Sequence, residues 1–462
     1  MTTPRFVRTP HIGPPKMPLP DRLPSVVTDR LVRLIRLIGD MQLHCVIRLE
    51  GRLDEVRLAR AVRLLLDTEP VLGCRWVETR LHPRWERRQD LDRAPLVSVV
   101  DSDAPLADCS PFMTMPCLAE RDPLVQVRIF RPPPGADGAV AGDTVCVKLA
   151  HLAMDGGGTK ECVYRLASIY EALGRDRGFR PRANLTGRRS FDQILERLGP
   201  WGRLGMVRYG LWSTRRRIRP ARWWAFPSED GRRGRLAPGP SYVFHRIGAD
   251  RFGAVRAYCG RQGVTLNDVL VAAYCQAVVE LVRPAAEVPL RLRTTVDLRR
   301  YLPSGRGEAL CNLSAFVYPN LGPGLPRSFD ELVGRVHREM NRHKADLIGL
   351  GDYPFFGVLA TMMPFWGLLT GFEAHLAKPL PAELRLPAIT NIGRVDPAQL
   401  RFGEPRVVDA FVTASVVYPP LFAPAITGFG DSLTFSAGFC DSAIPRARVE
   451  GLFDRMERLL PS

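Results

Sequence analysis

The sequence of 462 residues lacks the short motifs of several common enzyme classes. No Gly-x-Ser-x-Gly elbow occurs, and no Gly-x-Gly-x-x-Gly turn follows a strand pattern. Serine hydrolases and dinucleotide-binding folds therefore have no support. Gly156-Gly-Gly-Thr-Lys160 lacks the Gly-Lys-Ser/Thr order of a phosphate-binding loop, so it does not indicate a nucleotide-dependent enzyme.

Metal-ligand spacing and a secretion signal are also lacking. The ten cysteines include no Cys-x-x-Cys pair and the histidines form no metal-type pair, so we expect reduced thiols and no metal site. The first 20 residues are rich in proline and basic residues without an apolar core, unlike a signal peptide or an anchor. We expect a cytoplasmic protein, with peripheral membrane contact as an open alternative.

Lysine is scarce, and arginine carries nearly all of the net charge of +17, because only five of the 65 basic side chains are lysines. Such a charge attracts nucleic acid or anionic surfaces, but an excess of arginine also reflects a GC-rich genome. No nucleic-acid recognition motif is found, so we predict no nucleic-acid partner. With 45% hydrophobic residues, the composition is that of a globular protein with a full core.

The most informative motif that is present is His151-Leu-Ala-Met-Asp155-Gly156. Val145 and Val147 alternate with polar residues just upstream, which predicts a strand. Downstream, the glycines break the chain and Thr159 can cap a helix. A histidine at the end of a strand faces a cleft rather than the interior of a sheet. The alternative is a turn histidine beside a helix-capping aspartate, without a catalytic role.

Other segments repeat this organisation of a strand, a short motif and a helix. A strand pattern over 42–49 is followed by a Gly-x-Leu-Asp turn, and a strand pattern over 290–299 ends in Val-Asp-Leu-Arg. Strand patterns over 407–418 and 432–439 predict a late hairpin. Further motifs lie at Gly51–Asp54, Gly263–Ala273, Cys311–Ser314 and Ala388–Arg394.

Together these motifs resemble the chloramphenicol-acetyltransferase-like superfamily, which includes condensation domains and the wax-ester and polyketide-associated acyltransferases. The resemblance spans about residues 40–460 and is strongest at His151–Gly156, Gly263–Ala273 and Asn391–Gly393. It implies an α/β (α+β) fold of two lobes, each a mixed sheet with flanking helices, and an active-site channel between them. One departure is Ala150, which stands where the family has the first histidine of a doublet.

The resemblance also suggests how the chain is divided. We expect a flexible N-terminal segment over 1–24, an N-terminal lobe over 25–185, an interlobe linker over 186–240 and a C-terminal lobe over 241–462. The linker is basic and rich in tryptophan, with ten arginines between Arg203 and Arg235.

By resemblance, His151 is the general base and Asp155 a structural acid that pairs with a buried arginine, Arg299 before Arg293. Gly156 belongs to the motif. The resemblance places four further residues near the channel or the substrate: Gly157, Asn312, Thr390 and Asn391.

The function implied is that of a freestanding acyltransferase. It would move an acyl group from a thioester of coenzyme A or of a phosphopantetheine carrier to a hydroxyl or amine, with no tightly bound cofactor. The expected partners are an acyl carrier protein in trans and a hydrophobic small-molecule acceptor. The alternative is a non-catalytic homologue that binds acyl carriers or a hydrophobic ligand.

Two segments leave their interpretation open. The arginine- and tryptophan-rich stretch is either a plain linker or a docking surface for an acidic carrier protein or anionic lipid. The stretch from Tyr353 to Phe372 has 20 residues without a charge, the length of a membrane span. Because Pro354 and Pro364 interrupt it, we predict a buried pair of short helices, with shallow membrane contact as the alternative.

Overall fold

A computed structural model of the protein describes residues 3–10, 12–13, 17–133, 142–218, 226, 239–351, 353–376 and 385–462. It confirms the predicted mixed α/β class, with two six-stranded sheets, each mixing parallel and antiparallel pairs.

The elements before residue 219 combine strands and helices in irregular order. They are β1 Arg5–Phe6, β2 Arg22–Pro24, α1 Val27–Ile35, β3 Gln42–Leu49, α2 Glu55–Thr68, β4 Cys74–Val77, β5 Arg84–Arg87, β6 Val97–Asp101, α3 Pro105–Thr114, β7 Val125–Arg131, β8 Thr144–Ala150, α4 Gly156–Arg175 and α5 Asp192–Ile218.

The elements after residue 239 follow the same mixed pattern. They are β9 Pro240–Ile247, α6 Ala249–Gln262, α7 Leu266–Val282, β10 Pro289–Arg291, β11 Arg293–Asp297, β12 Ser314–Val317, β13 Asn320–Pro323, α8 Phe329–Ala345, α9 Tyr353–Met362, α10 Phe365–Leu376, β14 Ala388–Val395, β15 Val407–Thr413, β16 Ala425–Phe429, β17 Ser432–Cys440 and α11 Arg446–Leu459.

The first large sheet has the order β1-β6-β7-β8-β3-β15. Side chains alternate across a strand, so Leu43, Cys45 and Ile47 of β3 share one face, which packs on helices α2 and α4. Val46 and Cys146 lie on the opposite face, in one core with α3 and the elements of the second large sheet. The two sheets are therefore joined by a continuous apolar core.

The second large sheet has the order β12-β11-β14-β16-β17-β9 and is covered by α6, α7, α8 and α11. Helix α7 begins as the sequence predicts: Thr265 accepts from the Asp268 N–H while the Asp268 carboxylate accepts from the Thr265 N–H. Its residues Val269 to Cys275 are buried, which makes α7 the central helix of this lobe.

The predicted late hairpin is wrong in its first strand. The hairpin joins β16 to β17, whereas β15 pairs with β3 in the first large sheet. Both β15 and β16 are short apolar runs, and such a run carries no information about which sheet it joins. Strand β15 therefore connects the C-terminal part of the chain to the N-terminal sheet.

The uncharged run over 353–372 forms two short helices, α9 and α10, that break at Met363 and Pro364. The prediction of two short helices is confirmed, but they are only partly buried: Phe365 and Leu368 pack against Leu34 of α1, whereas Met362 and Trp366 are exposed. No single described helix is long and apolar enough to cross a bilayer. Helices α6 and α7 reach that length only together, bent by 109°.

The boundaries of the four predicted segments stay predictions. Within the first, β1 pairs with β6 and Val7 is buried, so this part of it is packed on the N-terminal sheet. Within the linker, α5 is a helix that kinks at Gly199. The side chains of Arg216 and Arg217 and all of Trp223 and Trp224 lie outside the described residues.

Candidate active site

His151 lies where β8 leaves the sheet, and its backbone N–H donates to the Met41 carbonyl at 3.0 Å. Its half-buried ring faces the other lobe, where Nδ1 is 3.2 Å from Asn312 Oδ1. The Asn312 Nδ2 group donates to the Leu152 carbonyl at 3.2 Å, which turns the amide oxygen toward the ring. His151 Nδ1 is therefore the donor in this hydrogen bond, and Nε2 lies outside it.

Asp155 is buried and holds the two lobes together. Oδ1 accepts from the Gly158 N–H at 2.8 Å, and Oδ2 accepts from the Leu313 N–H at 2.7 Å. Arg299 Nη1 is 2.9 Å from Oδ1. Burial alone would raise the pKa of Asp155, but the Arg299 charge and these hydrogen bonds outweigh it and lower the pKa below its ordinary value. The contacts of this carboxylate with Gly158, Leu313 and Arg299 are thus all internal.

Arg299, rather than Arg293, is the partner of Asp155. Its Nη2 donates to the Cys311 carbonyl at 3.0 Å, and its Nε donates to Glu161 Oε1 at 3.0 Å. The guanidinium of Arg293 instead lies over the Phe316 ring, 5.0 Å from its centroid. The Arg299 side chain is only 3% exposed, so this pair is a buried ion pair between the lobes.

The glycines after the motif form a helical turn instead of the predicted break. Helix α4 begins at Gly156, and its N-cap is Asp155 rather than Thr159, because the Asp155 side chain already binds the Gly158 N–H. A Cβ on Gly157 would lie 2.5 Å from Arg299 Nη1 and 2.7 Å from Asp297 Oδ2. The structure therefore shows a packing requirement at Gly157, the residue we had placed in the channel.

Gly156 and Gly158 are also closely packed. A Cβ on Gly156 would lie 3.3 Å from Ile392, and one on Gly158 would lie 2.8 Å from the Met154 side chain. The triplet lets the start of α4 approach the facing lobe.

Asn391 and Thr390 lie on β14 of the facing lobe. Asn391 Nδ2 donates to Asn267 Oδ1 at 3.1 Å, and its Oδ1 accepts from the Gly393 N–H at 2.9 Å. Thr390 is half-buried, and its backbone N–H donates to the Pro424 carbonyl. These contacts shape the Asn391–Gly393 turn, and a channel role for the two residues stays a prediction.

Sequence reasoning missed Lys160 and Glu161, which follow the motif on α4. Lys160 Nζ donates to the Ile392 carbonyl at 2.8 Å, and Glu161 accepts from Arg299 and from the Gly307 N–H. Burial lowers the pKa of Lys160 and raises that of Glu161. The sequence signal that could have identified Lys160 and Glu161 is that they are two adjacent charged residues in the first turns of a largely apolar helix.

A cavity of about 870 Å³ opens elsewhere, between α3 and β9. Its lining includes Ser110, His245 and Arg446 and none of the described residues that we predicted for the site. Within the described part of the chain, no three His, Cys, Asp or Glu side chains are grouped as metal ligands.

No protein-family model and no curated protein sequence matches the chain. Solved structures do match. The first condensation domain of the CDA synthetase is 17% identical, with a TM-score of 0.66 and 95% of each chain covered. Trichothecene 15-O-acetyltransferase from Fusarium sporotrichioides is 14% identical, with a TM-score of 0.67 and 95% of each chain covered.

Polyketide synthase associated protein 5 from Mycobacterium tuberculosis is 17% identical, with a TM-score of 0.62, and the match covers 94% of this chain and 98% of that one. At these identities the likeness shows the fold. The chain therefore has the two-lobed chloramphenicol-acetyltransferase-like fold that its motifs resemble.

Proposed function

We propose that the protein is an acyltransferase that moves an acyl group from a thioester to a hydroxyl or amine, with His151 as the general base. One observation carries the proposal. The Asn312 amide oxygen accepts from His151 Nδ1, which leaves Nε2 as a proton acceptor at the boundary between the lobes. A positioned neutral imidazole is the group best suited to take a proton near neutral pH.

In the proposed reaction, His151 Nε2 removes the proton of the acceptor hydroxyl or amine while the acceptor attacks the thioester carbonyl. The tetrahedral intermediate then collapses and breaks the carbon–sulfur bond. The imidazolium returns the proton to the thiolate, which leaves as a free thiol. The acceptor keeps the acyl group, and no covalent enzyme intermediate is needed.

Asp155 and Arg299 are positioning residues in this reaction. They join the loop that carries His151 to the Leu313 backbone, next to Asn312, and so set the distance between base and orienting amide. The Gly158 N–H is bound to Asp155 and cannot stabilise the oxyanion. The first-turn N–H groups of Gly156 and Gly157 are the remaining backbone candidates, since the first N–H groups of a helix have no partner within it.

The proposed donor is an acyl thioester of coenzyme A or of an acyl carrier protein acting in trans, and the proposed acceptor is a hydrophobic small molecule. Likeness in fold to a condensation domain and to an acetyltransferase supports this class of chemistry. The donor would be a substrate, and no resident cofactor takes part.

The test is intact-mass analysis of a panel of acyl-CoA and acyl-carrier thioesters, incubated with alcohols and amines. We expect acyl transfer by the parent and a loss of about 10²- to 10⁴-fold for His151→Ala, the usual contribution of a general base. His82→Ala removes an exposed histidine and serves as the matched control.

Turnover of His151→Ala within about tenfold of the parent would remove His151 as the base. Binding of thioesters by the parent without any transfer would instead identify a non-catalytic homologue.

A further inference from the structure

The part of α5 after its kink exposes an apolar face. Trp201 is 84% exposed, Leu204 60%, Val207 44% and Leu211 57%, whereas Met206 and Tyr209 on the same helix are buried. The exposed residues are spaced by three, three and four positions, so they form one stripe along the helix. Single exposed apolar residues are ordinary, but a continuous stripe marks an interaction surface.

Arginines flank this stripe. Between Pro200 and Ile218 the helix has five arginines and neither an aspartate nor a glutamate. The side chains of Arg203, Arg208 and Arg215 are exposed, and Arg208 reaches Asp346 at 3.7 Å. An apolar stripe with a tryptophan, bordered by arginines, has the composition of a helix that lies in the interface of an anionic bilayer.

The neighbouring helices α9 and α10 extend the apolar surface. Helix α9 begins beside α5, since a Cβ on Gly351, two residues before α9, would lie 2.9 Å from Tyr209 and 3.0 Å from Gly210 of α5. Further along this pair of helices, Met362 is 79% exposed and Trp366 53% exposed. Helices α9 and α10, next to α5, thus add two further exposed apolar side chains.

We infer that the stripe of α5, together with Met362 and Trp366, is a contact surface for anionic lipid membranes. Apolar side chains enter the boundary between headgroups and acyl chains, and the flanking arginines bind the anionic headgroups. An acidic carrier protein would also attract the arginines. We favour lipid because the most exposed side chains of the stripe are apolar, Trp201 and Leu204, and the interface of an anionic bilayer accommodates such side chains together with arginines.

The first experiment is flotation with vesicles of phosphatidylcholine containing phosphatidylglycerol, compared with pure phosphatidylcholine vesicles. We expect the parent to float with the anionic vesicles. The triple variant Trp201→Ser, Leu204→Ser, Leu211→Ser should lose at least about tenfold in partitioning, because three exposed apolar side chains no longer insert. Phe6→Ser with Val56→Ser is the matched control, since Phe6 on β1 is 57% exposed and Val56 on α2 is 50% exposed.

The second experiment separates charge from apolar insertion. Arg203→Glu with Arg215→Glu should reduce partitioning into anionic vesicles by about tenfold or more and remove its dependence on ionic strength. Arg261→Glu with Arg458→Glu changes the same net charge at exposed positions on α6 and α11 and should leave partitioning within about twofold.

Equal flotation of the parent and both α5 variants would overturn the proposal. It would also be overturned if the parent is a dimer that the serine variant converts to a monomer, since the stripe would then join two copies. If the α5 variants raised the KM for carrier-bound donors without changing flotation, the surface would be assigned to a carrier protein. The flotation and dimer outcomes do not depend on the proposed acyl transfer, because they are measured without substrate, whereas the KM outcome requires it.

Discussion

Two polar clusters are buried near β8, and they differ in how their charged side chains are paired. In the Asp155 cluster, the Arg299 guanidinium contacts Asp155 and Glu161, and the Asp155 oxygens accept from two backbone N–H groups. In the Lys148 cluster, Lys148 Nζ donates to the Met115 carbonyl at 2.6 Å and lies 4.4 Å from the centroid of the Phe112 ring.

The Lys148 cluster also leaves polar atoms unsatisfied. Gln42 Oε1 and His44 Nε2 have no hydrogen-bond partner among the described residues. Lys148 and His44 are cross-strand neighbours on the face that packs toward the second sheet. Burial lowers the pKa of Lys148 from 10.5 to about 8. Burial also acts to lower the pKa of Arg299, but Asp155, Asp297 and Glu161 together outweigh it and hold that pKa well above its ordinary value.

The comparison teaches which buried charges contribute to the structure. Removing one partner of a paired charge leaves the other uncompensated. Removing a charge whose burial outweighs the attraction of its neighbours, as for Lys148 and the nearby Asp40, relieves a cost. The Asp155 cluster should therefore be sensitive to substitution and the Lys148 cluster tolerant of an apolar replacement.

The largest expected effect is that of Asp155→Asn. The variant leaves the buried Arg299 without its main counter-charge, so the free energy of unfolding should fall by about 3–5 kcal/mol in urea titrations. Asp297→Asn is the matched control, because Asp297 contacts the same guanidinium but is 46% exposed, and it should cost less than about 1 kcal/mol. A loss below about 1 kcal/mol for Asp155→Asn would mean that the ion pair does not hold the lobes.

Gly157→Ala tests the packing of the same cluster. The new Cβ would lie 2.5 Å from Arg299 Nη1, so we expect a loss of about 1–3 kcal/mol in unfolding free energy. Gly451→Ala in α11 meets no atom within 4 Å and should instead stabilise by about 0.5–1 kcal/mol, since alanine is the better helix former. Similar effects of the two variants would contradict the close approach of Arg299.

Asn312 extends the Asp155 cluster to His151, and its test is kinetic. Asn312→Leu removes the acceptor for His151 Nδ1, so kcat should fall by about tenfold or more with little change in KM. Asn312→Asp keeps an acceptor and should retain more activity, with its pH profile displaced to higher pH because a carboxylate stabilises imidazolium. An unchanged profile for Asn312→Asp would show that Asn312 does not act through His151.

Lys148→Met should give the smallest effect, with the opposite sign. Because the folded-state pKa lies below the ordinary value, the charged form is penalised below about pH 8, and the penalty fades as the pH rises to about 10.4. The variant should gain about 1 kcal/mol in unfolding free energy at about pH 7 and less at about pH 9.5. Destabilisation at both values would show that the Met115 hydrogen bond outweighs the burial of charge.

Local patterns predicted the elements next to the motif well. The predicted strand over 42–49 is β3, and the predicted strand over 144–149 is β8 with one more residue. The Thr265 cap starts α7 at the expected position. The prediction was wrong at the glycines after Asp155, because a glycine triplet normally breaks a helix. In the structure these glycines begin α4, where Arg299 and Ile392 leave no room for a larger side chain.

What the sequence alone determined is the set of locally encoded features: the alternation of β8, the histidine at its end and the motifs of the two-lobed fold. Only the tertiary structure decided that β15 joins the first sheet, that Asn312 contacts the His151 ring, and that Lys160 reaches Ile392. The physical reason is distance along the chain. Each of these contacts joins residues from distant segments, and their short apolar or polar patterns fit several partners equally well until the folded backbone brings one of them within reach.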